Sequence, residues 1–318
     1  MNILITAIGS MSAPAVINAL KHASHTVIGC DIYPEKWVYA SRLVDNFVQV
    51  PRATNSQAFI ESINAICDQH CIDAIIPLTD VEVDTLSDAR GELCSSAMLA
   101  LMAADAITLA RDKLAWSKQF AHNGIFLPLP AIALAESHAL VFGFPVILKQ
   151  RNGRSSEGLR RVETESELWE LRERLNGNDW IVQPYLPGDV HVIDIVRQRE
   201  TGEWAGVTRK ELLRTTNGAG LTVEIIQDEA LLAKAAEVAR LLDLNGCINI
   251  EFMRHPTGDY LMDINPRFSA GVEFSVMAGY DMITNHLHCF TRQPIQPAVA
   301  VQNAVFTRHY VAEKSFTG

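Results

Sequence analysis

At 318 residues, with 48% apolar and 20% charged side chains, the chain has the composition of an ordinary globular protein and the length for two or three lobes. Its 27 basic and 37 acidic residues leave a net charge of −10, which argues against a nucleic-acid surface and reserves the few basic clusters for a small anionic ligand. No apolar run approaches membrane-spanning length, and no basic segment precedes the apolar residues of the start, so the expected compartment is the cytoplasm, with no membrane partner.

The first hundred residues alternate strand and helix patterns. Strands are expected at 2–7, 26–32 and 73–78, and helices at 12–22, 55–69 and 81–93, the order of an open, doubly wound parallel sheet. The first strand runs into Ala7-Ile-Gly-Ser-Met-Ser-Ala-Pro14 and Asp31 closes the second, which invites a dinucleotide reading. That motif needs three glycines where only Gly9 stands; the same loop at a helix N-terminus suits a carboxylate or phosphate. Thr79-Asp80-Val-Glu82 follows the third strand, at the edge where open sheets bind ligands. Its acids suit an ammonium group, and Asp80 equally suits an N-cap. Cysteines 30, 67, 71, 94, 247 and 289 lack C-x-x-C spacing and read as buried thiols.

A helix carrying Arg111 and Lys113 is expected over 105–123, stopped by Asn123-Gly124. Residues 144–149, Phe-Pro-Val-Ile-Leu-Lys, form a strand ending in Lys149. The loop Gln-Arg-Asn-Gly-Arg-Ser-Ser-Glu-Gly follows at 150–158, and a second strand begins at 159. A small-residue loop leaves backbone N–H groups for phosphate oxygens, with Lys149 as a point charge at its base; a plain flexible hairpin is the competing account. Residues 180–186, Trp-Ile-Val-Gln-Pro-Tyr-Leu, leave their sheet at Pro187-Gly188-Asp189. There the Pro184 carbonyl can accept from an adenine amino group and the Leu186 N–H can donate to a ring nitrogen. A strand at 191–197 and an amphipathic helix at 229–242 lead to the most informative segment.

That segment is 246–252, Gly-Cys-Ile-Asn-Ile-Glu-Phe, followed by 260–267, Tyr-Leu-Met-Asp-Ile-Asn-Pro-Arg, with a hairpin turn at 255–259. Alternation puts Asp263, Asn265 and Arg267 on one face and lets Glu251 sit beside Asp263 across the ladder. Two carboxylates and an amide oxygen suit a hard cation such as Mg²⁺; a surface hairpin with ordinary charges is the plain alternative. Arg209-Lys210 is a further candidate for an anion wall, and Glu273 for an ammonium receptor.

Taken in order, these pieces resemble the ATP-grasp superfamily, in its carbamoyl-phosphate-synthetase-like and amino-acid-ligase branches. The resemblance covers nearly the whole chain and implies an α/β fold. It places an N-terminal doubly wound parallel-sheet domain at 1–105, ahead of a two-subdomain α+β ATP-grasp domain at 106–318, with a lid at about 112–185 and a large subdomain at about 186–318. It implies nucleotide contacts from Lys113, Lys149, the loop residues Gly153, Ser155, Ser156 and Gly158, and the hinge residues Gln183, Pro184, Tyr185 and Leu186. Glu251, Asp263 and Asn265 would hold Mg²⁺ or Mn²⁺, and Arg267 with Lys149 would act on the transferred phosphoryl group.

Three positions depart from the family pattern. Gln183 stands where a glutamate is usual, Asp263 replaces a glutamate, and Val190 occupies the place of a ribose-binding acid, for which Asp189 is the nearest substitute. The implied activity is ATP-dependent joining of a carboxylate to an amine through an acylphosphate, with ADP and phosphate released. Small-molecule substrates, amino acids among them, are the expected partners, and homo-oligomerisation is left open. A nucleotide-binding module without catalysis and a nicotinamide-dependent oxidoreductase are the alternatives.

Overall fold

A computed structural model describes residues 1–93, 97–140, 142–154, 157–298, 301–312 and 314, arranged on three sheets. The first is all-parallel, in the order β3-β2-β1-β4-β5, and comprises β1 (Asn2–Ile5), β2 (Thr26–Asp31), β3 (Asn46–Gln49), β4 (Ala74–Ile76) and β5 (Met98–Leu99). Helices α1 (Ala13–His22), α2 (Ser56–His70) and α3 (Asp80–Asp88) cross over between its strands. Each buries an apolar stripe, such as Val16, Ile17 and Leu20 of α1. The alternation of strand and helix patterns accounts for these central elements, whereas the short edge strands β3 and β5 left no readable pattern.

The helix expected over 105–123 is two helices, α4 (Ala104–Arg111) and α5 (Lys113–Gln119). Asp112 leaves helical geometry between them, and its carboxylate accepts from the Leu114 and Ala115 amides at 3.1 and 2.9 Å while pairing with Arg151. A side-chain cap offers the backbone an alternative to continuing the helix, and here it wins.

The second sheet, ordered β7-β10-β8-β9, comprises β7 (Ile132–Ala133), β8 (Val146–Gln150), β9 (Arg160–Val162) and β10 (Trp180–Pro184). It packs on α6 (Glu165–Arg174) through its own small core of Leu134, Val146, Leu148, Val162, Leu168, Leu171 and Val182. The third sheet is ordered β16-β13-β12-β11-β14-β15-β6, from β6 (Leu127–Pro128), β11 (Asp189–Arg197), β12 (Trp204–Arg214), β13 (Gly220–Ile226), β14 (Gly246–His255), β15 (Gly258–Asn265) and β16 (Val305–Thr307). β6 falls inside the stretch expected to form the lid, yet it pairs in parallel with Tyr260 and Leu261 of β15. The chain thus visits the large sheet before it enters the small one.

Helices α7 (Glu229–Leu241), α8 (Val272–Met277) and α9 (Met282–Thr291) complete the large unit. One core joins the first sheet to the third: Ile3, Ile5, Val16 and Leu20 belong to the same buried cluster as Phe268, Phe274, Met282 and Leu287. His286 of α9 crosses this seam, its Nδ1 accepting from the Cys247 amide (2.9 Å) and its Nε2 facing the Ala100 carbonyl (3.2 Å). The first domain and the large sheet therefore meet through packed apolar surface, while the small sheet has a separate core. Among the described residues no helix is long and apolar enough to cross a membrane.

Candidate active site

A cavity of about 480 Å³ opens where the three sheets meet. Its walls include Ser10 to Ser12 and Leu78 to Val81 from the first domain, Lys149, Gln150, Gly153 and Arg154 from β8 and its loop, and Glu251, Asp263, Asn265 and Arg267 from the β14–β15 hairpin. The hairpin register sets Glu251 directly opposite Asp263 and Asn249 opposite Asn265. Across β11 the same rows continue through Val192 to Arg209 and through Asp194, so one sheet face presents a polar array to the cavity.

Each charge on that face already has a partner. Asp263 pairs with Lys113 at 3.1 Å, and the Lys113 ammonium also donates to the Gly153 carbonyl at 2.8 Å. Glu251 pairs with Arg214 at 2.9 Å. Lys149 donates to the Met262 carbonyl at 3.1 Å, and burial pulls its ammonium down to about 8, opposed by the nearby charge of Asp263. Its ordinary value is 10.5, so this half-buried lysine on the cavity wall holds its proton at a cost that a ligand's negative charge would relieve.

Asn265 is aimed by its neighbours. Its amide nitrogen donates to Asn249 Oδ1 (3.1 Å), and Asn249 in turn donates to Asp194 Oδ1 (3.2 Å). That leaves the Asn265 oxygen for the side of Asp263 and Arg267. Glu251, Asp263 and Asn265 make a donor set of oxygens alone, which fits Mg²⁺ better than a nitrogen- or sulfur-seeking metal. Among the described residues no group of three or more acids, histidines or cysteines forms that would suit another metal.

Behind the array, Arg209 is almost wholly buried between Asp194 (2.5 Å) and Glu211 (3.1 Å) and also donates to Ser269. It is a structural cation, and Lys210, its neighbour in sequence, pairs outward with Asp189 at 2.7 Å. Asn249, Asp194, Arg209 and Arg214 are the members of this site that the sequence reading did not single out for it, apart from Arg209 as half of a basic pair. Asn249 lies two residues before Glu251, and Asp194 interrupts the apolar run Val-Ile-Asp-Ile-Val, so strand alternation held a signal for both.

Several expectations are corrected. Asp80 neither caps α3, whose N-cap is Thr79, nor waits for an ammonium group: Arg267 grips both its oxygens at 2.6 and 2.7 Å and Arg111 adds a third contact at 2.7 Å. Two guanidinium groups hold its carboxyl far below the usual carboxylate range. Glu82 is buried, accepts from the Thr6 and Thr79 hydroxyls, and lies off the cavity wall. Glu273 pairs with Arg308 at 3.2 Å. Asp31 accepts from the Gly9 amide (2.7 Å) and the Tyr33 amide (3.1 Å), so it fastens its own loop instead of offering a carboxylate to a ribose.

The remaining candidates fall around the cavity instead of on its wall. Gln183 is buried and donates to the Leu129 carbonyl at 3.3 Å, Tyr185 donates its amide to Pro145 (3.2 Å), and Asp189 is exposed beside Lys210. Pro184 and Leu186 complete that edge, and Gly158 sits at the far end of the loop with φ +68°. Ser155, Ser156 and Cys94 lie outside the described residues.

Three sheets closing on a lysine- and carboxylate-lined cavity define a class that comparison makes explicit. Residues 176–312 match the family model described as ATP-grasp in the biosynthetic pathway with Ter operon, and residues 3–98 match the PylC-like N-terminal domain. The chain carries an ATP-grasp domain behind a PylC-like N-terminal domain and is related to carbamoyl phosphate synthase. It is 26% identical over 233 residues to the carbamoyl phosphate synthase large chain of Thermomicrobium roseum, covering 64% of this chain and 21% of that one. It therefore spans about a fifth of that relative's length. Among solved structures, a biotin carboxylase from Campylobacter jejuni in a βγ-ATP complex superposes with a TM-score of 0.75 at 20% identity, covering 93% of this chain and 72% of that one. An L-amino acid ligase from Bacillus licheniformis gives 0.71 at 14% identity, over 92% and 75%. At such identities the likeness defines the fold.

Proposed function

We propose that the protein is an ATP-dependent carboxylate–amine ligase, acting with residues 1–105 as a pre-ATP-grasp domain and 106–318 as the ATP-grasp domain. The observation that carries this reading is the convergence of Lys113, Lys149, Glu251, Asp263, Asn265 and Arg267 on one cavity wall. A carboxylate attacking a triphosphate meets charge repulsion, and these residues are what such an attack needs. A substrate carboxylate oxygen bonds to the γ-phosphorus as the bond to ADP breaks; an amine nitrogen then attacks the acyl carbon, and phosphate leaves as the amide forms.

Lys149 and the 153–158 loop would hold the phosphates, with the 183–186 edge toward adenine and Asp189 as the ribose acid. Glu251, Asp263 and Asn265 would hold Mg²⁺, which when bound neutralises phosphate charge and aligns the reacting oxygens. Lys113 and Arg214, which cover those carboxylates here, are then the cations freed toward phosphate oxygens. Arg267 would stabilise the acylphosphate, and closing the loop over it would keep out water. The name of the L-amino acid ligase supports an amino acid as one partner.

The test is to incubate the protein with Mg-ATP and pools of amino acids, measuring ADP, AMP and phosphate. Oxygen-18 in the substrate carboxylate should appear in the released phosphate. Label in AMP, or ATP turnover that never depends on a carboxylate, would sink the proposal.

A further inference from the structure

We propose that Asp80, on the first domain, is the positioning residue that aims Arg267 at the phosphoryl group, an inference that rests on the proposed role of Arg267. Arg267 and Asp80 lie 187 positions apart in sequence, Asp80 opening α3 of the first domain and Arg267 following β15 of the large sheet. Asp80 Oδ1 meets Arg267 Nε at 2.6 Å and Oδ2 meets Nη2 at 2.7 Å, a two-point grip that fixes the plane of the guanidinium. Arg267 Nη1 is tied to the Phe268 carbonyl (2.9 Å), and the side chain lies on the cavity wall. It is thus held at Nε, Nη1 and Nη2 while lining the cavity.

Asp80 does more than hold one arginine. Arg111 Nη1 approaches the same Oδ1 at 2.7 Å, so a single carboxylate separates two guanidinium groups that would otherwise repel each other. Arg111 is anchored a second time by Asp84 (3.2 Å), which also receives Arg154 of the 150–158 loop at 3.3 Å. Among the described residues Arg267 hydrogen-bonds only the Phe268 carbonyl and, in a long contact, Asn265 (3.5 Å) besides Asp80. Remove the negative charge and Arg267 is the partner that moves. The first turn of α3 is thereby part of the active site, and it acts there through Arg267.

Two effects of the Asp80→Asn change oppose each other, and the measurement separates them. Losing a carboxylate raises the positive potential around Arg267 and would tighten anion binding; losing the grip displaces the guanidinium and would weaken it. Positioning predicts the second. Calorimetry on the full-length protein measures Mg-ADP affinity first, then the affinity of that complex for inorganic phosphate as the probe.

Asp80→Asn should leave Mg-ADP affinity within about twofold and weaken phosphate by about tenfold, the loss of one charge-assisted hydrogen bond. With any substrate pool that supports ADP release, kcat should fall about 100-fold with little change in KM for ATP. Unchanged or tighter phosphate binding overturns the proposal, as does a parallel loss of Mg-ADP affinity in a folded variant. Where Asp80→Asn does not fold, Asp80→Glu carries the test: it keeps the anion but shifts it by a methylene, and unweakened phosphate binding there overturns the proposal. Absence of phosphate binding to the wild-type Mg-ADP complex removes the role of Arg267 and this inference together. Intact phosphate binding without carboxylate-dependent ADP release sinks the ligase reading alone.

Discussion

Replacing Lys149 by methionine should weaken nucleotide binding while making the protein more stable. Among the described residues the Lys149 ammonium has one hydrogen bond, to the Met262 carbonyl at 3.1 Å, and burial lowers it from 10.5 to about 8. Converted at 1.36 kcal/mol per tenfold, that fall is about 3 kcal/mol of folding free energy set against the charged form. The carbonyl bond lost in the variant is worth about 1–1.5 kcal/mol, so the net gain is about 2 kcal/mol. Because the folded value lies below the unfolded one, the burden is full below pH 8 and disappears above 10.5. The stabilisation should therefore fade over that range. A phosphate oxygen would recover the buried charge, and its loss should weaken Mg-ATP by about 10- to 100-fold. Calorimetry with Mg-ATP and thermal melts from pH 7 to 10.5 read both effects. Unchanged affinity refutes the nucleotide assignment, and a lower melting temperature at pH 7 refutes the account of Lys149 as a charge held under strain.

Asp263→Asn removes one of two carboxylates from the proposed Mg²⁺ set and the partner of Lys113, so ADP formation should fall roughly 10²- to 10³-fold with the fold preserved. Near-normal turnover at saturating Mg²⁺ would show the hairpin to be structural. Burial raises Glu82 from 4.5 to about 7, so its protonated form stabilises the protein fully below pH 4.5 and that contribution is lost as pH rises through 7. Glu82→Gln should accordingly melt higher than wild type at pH 8, by about 3 kcal/mol of stability, and match it near pH 4.5; a variant less stable at pH 8 would contradict the assignment. At Gly158, φ is +68° and an added Cβ would lie 2.7 Å from the Trp180 ring. Gly158→Ala should displace the loop, at a cost of about 1–2 kcal/mol, and lower Mg-ADP affinity without changing exchange protection in the first sheet. Wild-type affinity would remove that loop from the nucleotide site.

Local periodicity made the first sheet's central strands and helices legible, and it made the β14–β15 hairpin legible down to Glu251 facing Asp263, because a strand's side chains alternate with a fixed period. Lys149 could be placed at the end of its strand for the same reason. The break at Asp112 escaped the pattern, since the apolar spacing runs on while one carboxylate turns the backbone aside. The edge strands, Asn-Phe-Val-Gln in β3 and Met-Leu in β5, lack the buried apolar run that marks β1 and β4. What tertiary structure alone decided was which charges meet. Asp80 looked like a free acid at a sheet edge until Arg267 and Arg111 arrived from other segments, and Glu251 acquired Arg214 from the neighbouring hairpin. Such pairings join residues far apart in the chain, and no periodicity connects them. The chain's own order determines each element and the face it presents; which faces are brought together depends on the packing of α1 and the first sheet against α8 and α9, a shared apolar core that carries Asp80 to Arg267.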